Sequence, residues 1–473
     1  MARIDAHYLS DADMAFVHEQ TVRLLTDIGV AYNTPTLTAP LKEAGADVDE
    51  DRLTARMPWE LVERCLEQVP KRVFLAGREP AYDRTVGDGR MLYTSDGAAT
   101  YVLDDLTGER HEGTEADLAT VMCLYDAVEE IDFTWATVTP GDVDSRLGNL
   151  EMARIAFEHS RKHLQDEVRS PDQAPVMIEM LETIAGAPLR ERPIWSATNC
   201  TIAPLQHDAE MTEAHILMAR AGCPVFILPM PQMGTTGPMS VLGTSILNMA
   251  ELLSSVVLFQ LAVPGCPLVS AVGSAVAEMR SGLYLSGAPE DGLINMICIE
   301  MSKEYGLLTQ GSAVSCDAKA CDLQAGVEGA ITGMATALAG ADVMLAFGLL
   351  DSAQTASLAK TVLDADTVKA LERFVRDDPV DEAAALIDDL VEVGIGGHFL
   401  SRKSTRRRSR EGELWRPRLW RRESFDQYAG TPLVRDAWER AQELIAGNDV
   451  PPLPDEVRAR CRSLIDGYAA GGG

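Results

Sequence analysis

The chain has 473 residues, enough for about three average domains or for one large α/β barrel with added segments. Its 42 Lys and Arg against 72 Asp and Glu leave a formal net charge of −30 and a pI near 4.6, which excludes non-specific nucleic-acid binding and attachment to an anionic membrane surface. Hydrophobic residues make up 46% and mean hydropathy is −0.04, which excludes disorder over most of the length, while aromatics at 5% make the position of each Trp and Tyr informative.

The opening run MARIDAHYLSDADMAF carries acids where a secretory signal would need an apolar stretch, so the expected compartment is the cytoplasm. Nine cysteines without a close CxxC pair read as reduced thiols rather than a disulfide framework or a zinc site, and no metal is expected. In chain order, residues 11–29 predict a helix opening at Ser10 or Asp11 and closing at Gly29, and 58–68 a second one beginning at Pro58. The run MLYTSDGAATYVLDDLTGER predicts a hairpin, with Gly97 and 104–108 as turns and Tyr93, Tyr101, Val102 and Leu103 as strand residues. Together these form an appended N-terminal α+β segment over 1–115.

From about residue 130, apolar runs alternate with longer helical ones. Strands are expected at 132–138, 163–168, 194–201, 225–228, 268–272, 307–311 and 343–347, and helices at 148–159, 174–186, 208–221, 240–262, 289–305 and 322–339. Strands that are apolar throughout predict a parallel sheet covered by helices. Their count and span favour a (β/α)8 TIM barrel over 116–400 rather than a doubly wound sheet. No GxGxxG follows an early strand, which removes the main support for a dinucleotide fold. In 221–277 Glu251 is the only charged residue among 57, and Pro264, Gly265 and Pro267 break the apolar run, leaving it too short for a bilayer. It reads as the interior of a soluble fold, and long apolar helices of this kind predict a homo-oligomer.

Residues 401–473 reverse the charge. Ten Lys or Arg and two Glu lie between Arg402 and Arg422, leaving −38 on the rest of the chain. This segment reads as solvated or paired within the chain, with docking of an acidic partner as the functional alternative. A closing helix at 434–446 and a flexible AAGGG tail complete the C-terminal part.

In a barrel the chemistry belongs to the loops after the strands, here 199–205, 230–238, 273–287, 312–322 and 348–355. The runs RPIWSATNCTIAPLQHD, TGPMSVLGTSILNMAELL, VPGCPLV, EMRSGLYLSGAPE, SCDAKACDLQAGVEGA and ALAGADVMLAFGLLDSAQTAS, together with YVLDDLTGER and GIGGHFL, span nearly the whole chain. They resemble the trimethylamine methyltransferase family, which includes pyrrolysine-containing trimethylamine enzymes and relatives without pyrrolysine, some acting on quaternary amines such as glycine betaine. The resemblance implies a (β/α)8 barrel that passes a methyl group to the Co(I) of a separate corrinoid protein, with the cobalamin carried by that partner. Around the DAK motif, where that family's pyrrolysine-containing loop is expected, stand Ala313, Val314, Ser315 and Cys316. After GHFL come Ser401, Arg402, Lys403 and Ser404 in place of a His-containing segment, and Leu345 and Ala346 replace an aromatic or His. These departures point away from trimethylamine itself.

A quaternary ammonium releases a neutral amine and needs no proton, so an enzyme acting on it has to orient rather than protonate. A tertiary amine leaves poorly unless protonated or captured, a task suited to pyrrolysine. Its absence therefore favours a substrate that is already cationic, such as glycine betaine or a similar small betaine. Such a cation calls for carboxylates and aromatic faces, each good cation–π contact contributing roughly 0.5–2 kcal/mol. Trp195, Tyr284 and Phe347 are the leading candidates, with Tyr93, Tyr101 and Trp135 behind them, and Asn199 joins them from the first loop. Each of the rings also reads as ordinary core packing.

Asp317, Lys319 and Glu251 are the candidate catalytic residues. Asp317 and Lys319 are expected on a polar rim, holding a substrate carboxylate or the corrinoid face. Asp322, Gln324 and Gly237 are the candidates for meeting the corrinoid, although the first two also suit a helix cap and Gly237 a turn. Glu251, alone in its apolar stretch, needs a partner such as Arg280, or else contacts the substrate cation. Glu278, Met279 and Arg280 offer a carboxylate, a soft apolar surface and a bidentate anchor for a substrate carboxylate. His159 and His163 lie four apart without a third ligand, and Cys316 and Cys321 have no nearby His to activate a thiol. Three other readings remain: the same family acting on a tertiary methylamine, a TIM-barrel lyase or hydrolase using Asp317 and Lys319, and a non-enzymatic betaine binder.

Overall fold

Eight parallel strands set the frame of the computed structural model, which describes residues 6–471 other than Ala98, Ala346 and Ala429. They are β1 (Leu92–Thr94), β2 (Thr134–Trp135), β3 (Leu164–Asp166), β4 (Trp195–Ile202), β5 (Val225–Leu228), β6 (Leu268–Ala271), β7 (Leu308–Ser312) and β8 (Val343–Leu345). A helix follows each: α1 (Glu115–Ala127), α2 (Gly148–His159), α3 (Gln173–Ala185), α4 (Ala209–Ala221), α5 (Val241–Ala262), α6 (Pro289–Glu304), α7 (Leu323–Leu338) and α8 (Leu358–Val375). Parallel ladders join β2 to β8 in sequence order and then β8 to β1. The remaining junction, β1 to β2, is a single parallel bridge at Thr94–Phe133 rather than a ladder. There the Asp132 N–H donates to Tyr93 O at 2.8 Å and the Tyr93 N–H to Asp132 Oδ2 at 3.0 Å.

The seven strands expected from sequence are β2–β8. The eighth, β1, comes from the run read as part of a hairpin, and the hairpin itself is confined to Tyr101–Leu103 and Arg110–Glu112. Its turn is the expected one: Asp104 Oδ1 accepts from the N–H groups of Leu106 and Thr107, and Gly108 takes φ +77°. Three residues are too few for a periodicity that separates a ring strand from a hairpin arm. Helices α1 and α8 also lie outside the sequence expectation.

Alternate strand residues face opposite ways. Leu92, Phe133, Phe226, Leu228, Val269, Ala271, Leu308 and Val343 pack together on one side of the strands with Val73, Leu75 and Val86 of the hairpin Val73–Leu75/Arg84–Val86, which covers their N-terminal end. The other faces join the larger core under the helices. The N-terminal helix Asp11–Arg23 starts with a Ser10–Asp13 capping box and runs on as a π turn over Leu24–Ile28 to Gly29. At Gly29, φ is +80° and a Cβ would lie 2.5 Å from Ala55 O, so the helix stops where expected.

That helix and a second one, Trp59–Leu66, cover α5. Helix α5 is long and apolar enough to cross a bilayer, yet most of it is buried in the protein. Its lone charge, Glu251, is fully buried and is not paired with Arg280, which is exposed on a hairpin tip. The Thr201 hydroxyl donates to Glu251 Oε2 at 2.5 Å and the Leu205 N–H to Oε1 at 2.8 Å, so neutral donors do what an arginine was expected to do. Burial outweighs these bonds and pushes the carboxyl up to about 7.

At the C-terminal end, a helix over Leu433–Gly447 packs on α8, and a further one, Asp455–Ala470, packs on α3. The tail expected to be flexible therefore begins as helix through Ala470, while Gly472 and Gly473 lie outside the described residues. The basic segment is largely paired within the chain. Arg402 meets Asp389 and Glu392, Arg418 meets Glu129 and Glu130, Arg421 meets Asp436, and the Asp366 carboxylate accepts from the N–H groups of Arg418 and Leu419.

A raised carboxyl pKa makes the fold most stable below the unfolded value and less so as pH rises towards the folded one. The stability difference between Glu251→Gln and the parent, read by urea denaturation, is therefore expected to grow in the variant's favour from pH 5 to pH 8, by up to about 3 kcal/mol. A difference that stays constant with pH would overturn this account of Glu251.

Candidate active site

Above the apolar inner layer, the same inward face turns polar. Two residues beyond Leu92, Phe133, Leu308 and Val343 stand Thr94, Trp135, Gln310 and Leu345, while Cys200 packs on the apolar layer from β4. His163 Nε2 and Ser196 Oγ are 2.9 Å apart, the Gln165 Nε2 amide donates to Thr198 Oγ1 at 2.9 Å, and the Cys200 thiol donates to Glu167 Oε1 at 3.5 Å. Several buried atoms here have no partner among the described residues: Thr94 Oγ1, Trp135 Nε1, Gln165 Oε1 and both polar atoms of the Gln310 amide. Buried polar groups are ordinarily hydrogen-bonded, so unpartnered atoms on this inward face are ones that a bound group would satisfy.

The loops at the C-terminal ends close over this layer. Asp96, Tyr284, Ser312, Ser315, Leu345 and Phe347 line a small cavity there. Asp96 Oδ1 accepts from the Gly97 N–H at 2.8 Å, and burial pushes its carboxyl up to about 6. Glu167 is also raised by burial, with the Arg169 charge opposing the shift. The Tyr284 hydroxyl donates to Gly273 O at 3.0 Å. Its phenol is pushed up by burial first and then by the charges of Asp291, Asp96 and Asp317. A Cβ on Gly97 would lie 2.3 Å from the Trp135 ring, so only glycine lets the Asp96 loop rest on that indole. Phe347 holds φ at +78°, a left-handed backbone that costs roughly 1–2 kcal/mol and brings its ring to the cavity.

Of the residues singled out in the sequence, Tyr284 and Phe347 line the cavity, and Trp135 lies beneath it. Trp195 and Asn199 do not: they occupy the outward register of β4. Trp195 packs towards His215 of α4, and Asn199 Oδ1 lies 3.1 Å from His215 Nδ1. Glu251 sits in the outer layer, as described above. Glu278 and Arg280 ride the tip of a hairpin formed by Ala275–Ala277 and Tyr284–Leu285, where Glu278 Oε1 accepts the Arg280 N–H at 3.0 Å. Tyr93 faces outward into the helical layer, and Tyr101 lies under the Arg110 guanidinium at 4.2 Å.

Asp317 is a brace. Its Oδ1 accepts from the N–H groups of Ser286 (2.8 Å) and Gly287 (3.1 Å) and from the Ser352 hydroxyl (2.6 Å), tying together the loops after β6, β7 and β8. Lys319 is exposed, pairs with Asp351 at 2.5 Å and donates to the Asp317 backbone carbonyl at 2.7 Å, so its ammonium is not paired with the Asp317 carboxylate as an acid and base would be. Asp322 caps α7 through the Gln324 and Ala325 N–H groups, and exposed Gln324 bonds Glu328. Gly237 closes the turn after β5, where a Cβ would lie 2.9 Å from Thr244 Oγ1. His159 ends α2 while His163 has both ring nitrogens engaged, and burial pushes the Cys316 and Cys321 thiols up to about 11 and 12.

Asp96, Gln165, Glu167 and Gln310 were not singled out. The signal available was polarity inside otherwise apolar strand runs: LQDEV on β3 and LLTQGS on β7.

The sequence matches the family described as trimethylamine methyltransferase (MTTB) over residues 3–472. A trimethylamine methyltransferase of Desulfitobacterium hafniense (strain DSM 10664 / DCB-2) is 27% identical over 474 residues, covering 98% of this chain and 95% of that protein. A glycine betaine methyltransferase of Desulfitobacterium hafniense (strain Y51) is also 27% identical, over 463 residues, covering 97% and 96%. Among solved structures, the monomethylamine methyltransferase of Methanosarcina barkeri shares the fold at a TM-score of 0.58 and 12% identity, covering 94% of this chain and 89% of that one. With the family match running almost end to end, the chain belongs to the trimethylamine methyltransferase family and is a methyltransferase of that family.

Proposed function

We propose that the chain takes a methyl group from a small quaternary ammonium compound, glycine betaine or a similar betaine, and delivers it to a corrinoid carried by a separate protein. What supports this reading is that Asp96 lines one cavity with the rings of Tyr284 and Phe347, that the Trp135 indole lies against the Asp96–Gly97 loop, and that Glu167 and the unpartnered Gln310 amide stand towards the C-terminal ends of β3 and β7. On this reading the ring works as a (β/α)8 barrel with Thr94–Phe133 closing its seam, and the catalytic unit begins at β1 rather than at residue 116.

A quaternary ammonium has no N–H to donate, so it is held by aromatic faces and by negative charge rather than by hydrogen bonds. Within this mouth it relieves the desolvation that raises Asp96 and Glu167, and so favours their ionised forms. The amine that leaves is neutral, which leaves orientation and exclusion of water as the protein's work. No acid is required, and Asp317 and Lys319 are already committed elsewhere. The relatives named for trimethylamine and for glycine betaine are equally similar, so the preference for a permanent cation rests on the mouth and on the standard residues at 313–316.

For the corrinoid, the support is an apolar rim. Ile202 at the end of β4, and Met230, Met239, Leu242, Met279 and Leu283 on the segments following β5 and β6, are exposed. The Met239 and Met279 sulfurs both lie within about 3 Å of where a Gly234 Cβ would stand, so the methionines cluster. Soft, adaptable side chains around a mouth suit the edge of a flat macrocycle presented by another protein. There the bound group supplies a reduced cobalt nucleophile for the methyl carbon. The chain's own residues hold the ammonium with one methyl turned outward, and Gly237 and the start of α7, with Asp322 and Gln324, are the proposed edges of contact.

The direct test mixes the protein with a reduced corrinoid protein and a panel of methylated amines and follows methyl–cobalt formation spectroscopically. Turnover with quaternary amines is expected. Turnover with a tertiary amine or thioether but no quaternary amine would refute the substrate class. Trp135→Leu is expected to weaken binding of a quaternary amine about 5- to 30-fold, the loss of one desolvated cation–π contact, as read by calorimetry. Because Asp96 is neutral below about pH 6, affinity is expected to fall as pH drops through 6, and Asp96→Asn should flatten that profile. A pH dependence unchanged in the variant would remove Asp96 from the site.

A further inference from the structure

We propose that residues 380–416 form an arm that packs on a second copy of this chain, its helix Ile387–Val393 lying in the groove beside α7 of that copy. The inference concerns assembly and does not depend on which amine is the substrate. From 372 to 436 no described residue is buried. Nearly half of the large apolar side chains exposed among the described residues lie between Phe374 and Tyr428. None of the arm's apolar residues joins the apolar core. Its hydrogen bonds and ion pairs stay within it, apart from one from Arg373 to Glu413 O at 3.5 Å. Its Trp415 ring meets Trp420 and Arg422 where the arm rejoins the chain. Ordering a segment of this length costs conformational entropy that surface polar bonds do not offset, so its apolar side chains need a surface to cover them.

The same chain offers that surface. Helix α7 exposes Val327 and Ile331, four residues apart on one face, and Glu328 is its only charged residue. Beside it lies a groove of about 450 Å³ lined by Gly326, Ala330, Leu363, Trp420, Leu433 and Val434. On the arm, Ile387, Leu390 and Val391 form one exposed face of their helix, the spacing with which a helix fills an apolar groove. Charge fits the same pairing. Lys403, Arg406 and Arg410 of the arm have no ion pair with a described residue, while the chain outside 402–422 carries −38. A stable contact takes about 20–30 residues from each chain, and the uncovered stretch 372–436 exceeds that. The arm leaves α8 at Val375 and returns through Arg418, which meets Glu129 and Glu130 just ahead of β2, so it is rooted at the N-terminal end of the strands. The corrinoid proposed above arrives at the opposite end, so a second copy rather than that protein fits the arm.

Sedimentation equilibrium on the full chain measures self-association of the parent, of Leu390→Arg on the arm and of Val327→Arg on the groove side. The parent is expected to associate, and each variant to associate about 100-fold or more weakly, because each buries an unpaired charge in the contact. Leu390→Ser and Val327→Ser bury no charge and are expected to weaken association about 10-fold. Both positions are exposed, so all four variants are expected to keep the parent's circular dichroism. An equimolar mixture of Leu390→Arg and Val327→Arg is expected to recover pairing, because the intact arm of one meets the intact groove of the other. A monomeric parent overturns the proposal. So does an assembly that either arginine variant leaves intact, or a mixture that stays as dissociated as its components.

Discussion

Because successive side chains on a strand point to opposite faces, eight parallel strands sort their residues into one inner column and one outer shell, and every other feature follows from that sorting. At the N-terminal end the inner column is Leu92, Phe133, Phe226, Val269, Leu308 and Val343, sealed by the hairpin carrying Val73 and Val86. Two residues further along, the same registers hold Thr94, Trp135 and Gln310. A dry lower half therefore supports a polar upper half whose groups are placed by backbone geometry rather than by flexible loops, the arrangement that makes a site precise.

The upper half is electrostatically unfinished. Asp96 and Glu167 are raised by desolvation, and at Glu167 the Arg169 charge and the Cys200 hydrogen bond oppose that shift. Such an environment weakens ionisation, and on the proposed function an entering cation and these carboxylates stabilise one another in a medium where charge interactions are strong. The surrounding loops hold this arrangement without contributing their own charges. Asp317 is consumed by two backbone N–H groups and the Ser352 hydroxyl, and Lys319 by Asp351. Those residues matter as braces between the loops after β6, β7 and β8.

Much of the framework was legible because hydrophobic pattern and helix punctuation are local. The seven apolar runs between residues 132 and 347 became β2–β8, and helices α2–α7 lie within a residue or two of their expected bounds. The basic segment was legible as one of two readings, and pairs such as Arg418 with Glu130 realise the intramolecular one. Strand β1 was not legible, since three residues carry no period and its neighbours β8 and β2 are remote or later in the chain. Tyr284 and Phe347 stood out because the chain has few aromatics and these fall in or near the expected loops, and both line the cavity. Trp195 and Asn199 were equally plausible by position and lie on the opposite face, one register away.

By itself the sequence determined the alternation of strands and helices, the buried character of the stretch around Glu251 and the family whose motifs run along the whole chain. These depend on residues close in sequence or on patterns that survive without coordinates. Only the tertiary structure decided which residues of each strand join which core, that Glu251 is satisfied by Thr201 and Leu205 rather than by an arginine, and that Asp96 lines one cavity with Tyr284 and Phe347 while Trp135 lies against the Asp96–Gly97 loop. The physical reason is that a one-residue change of register reverses a side chain's destination, and register is fixed by pairing between strands distant in sequence.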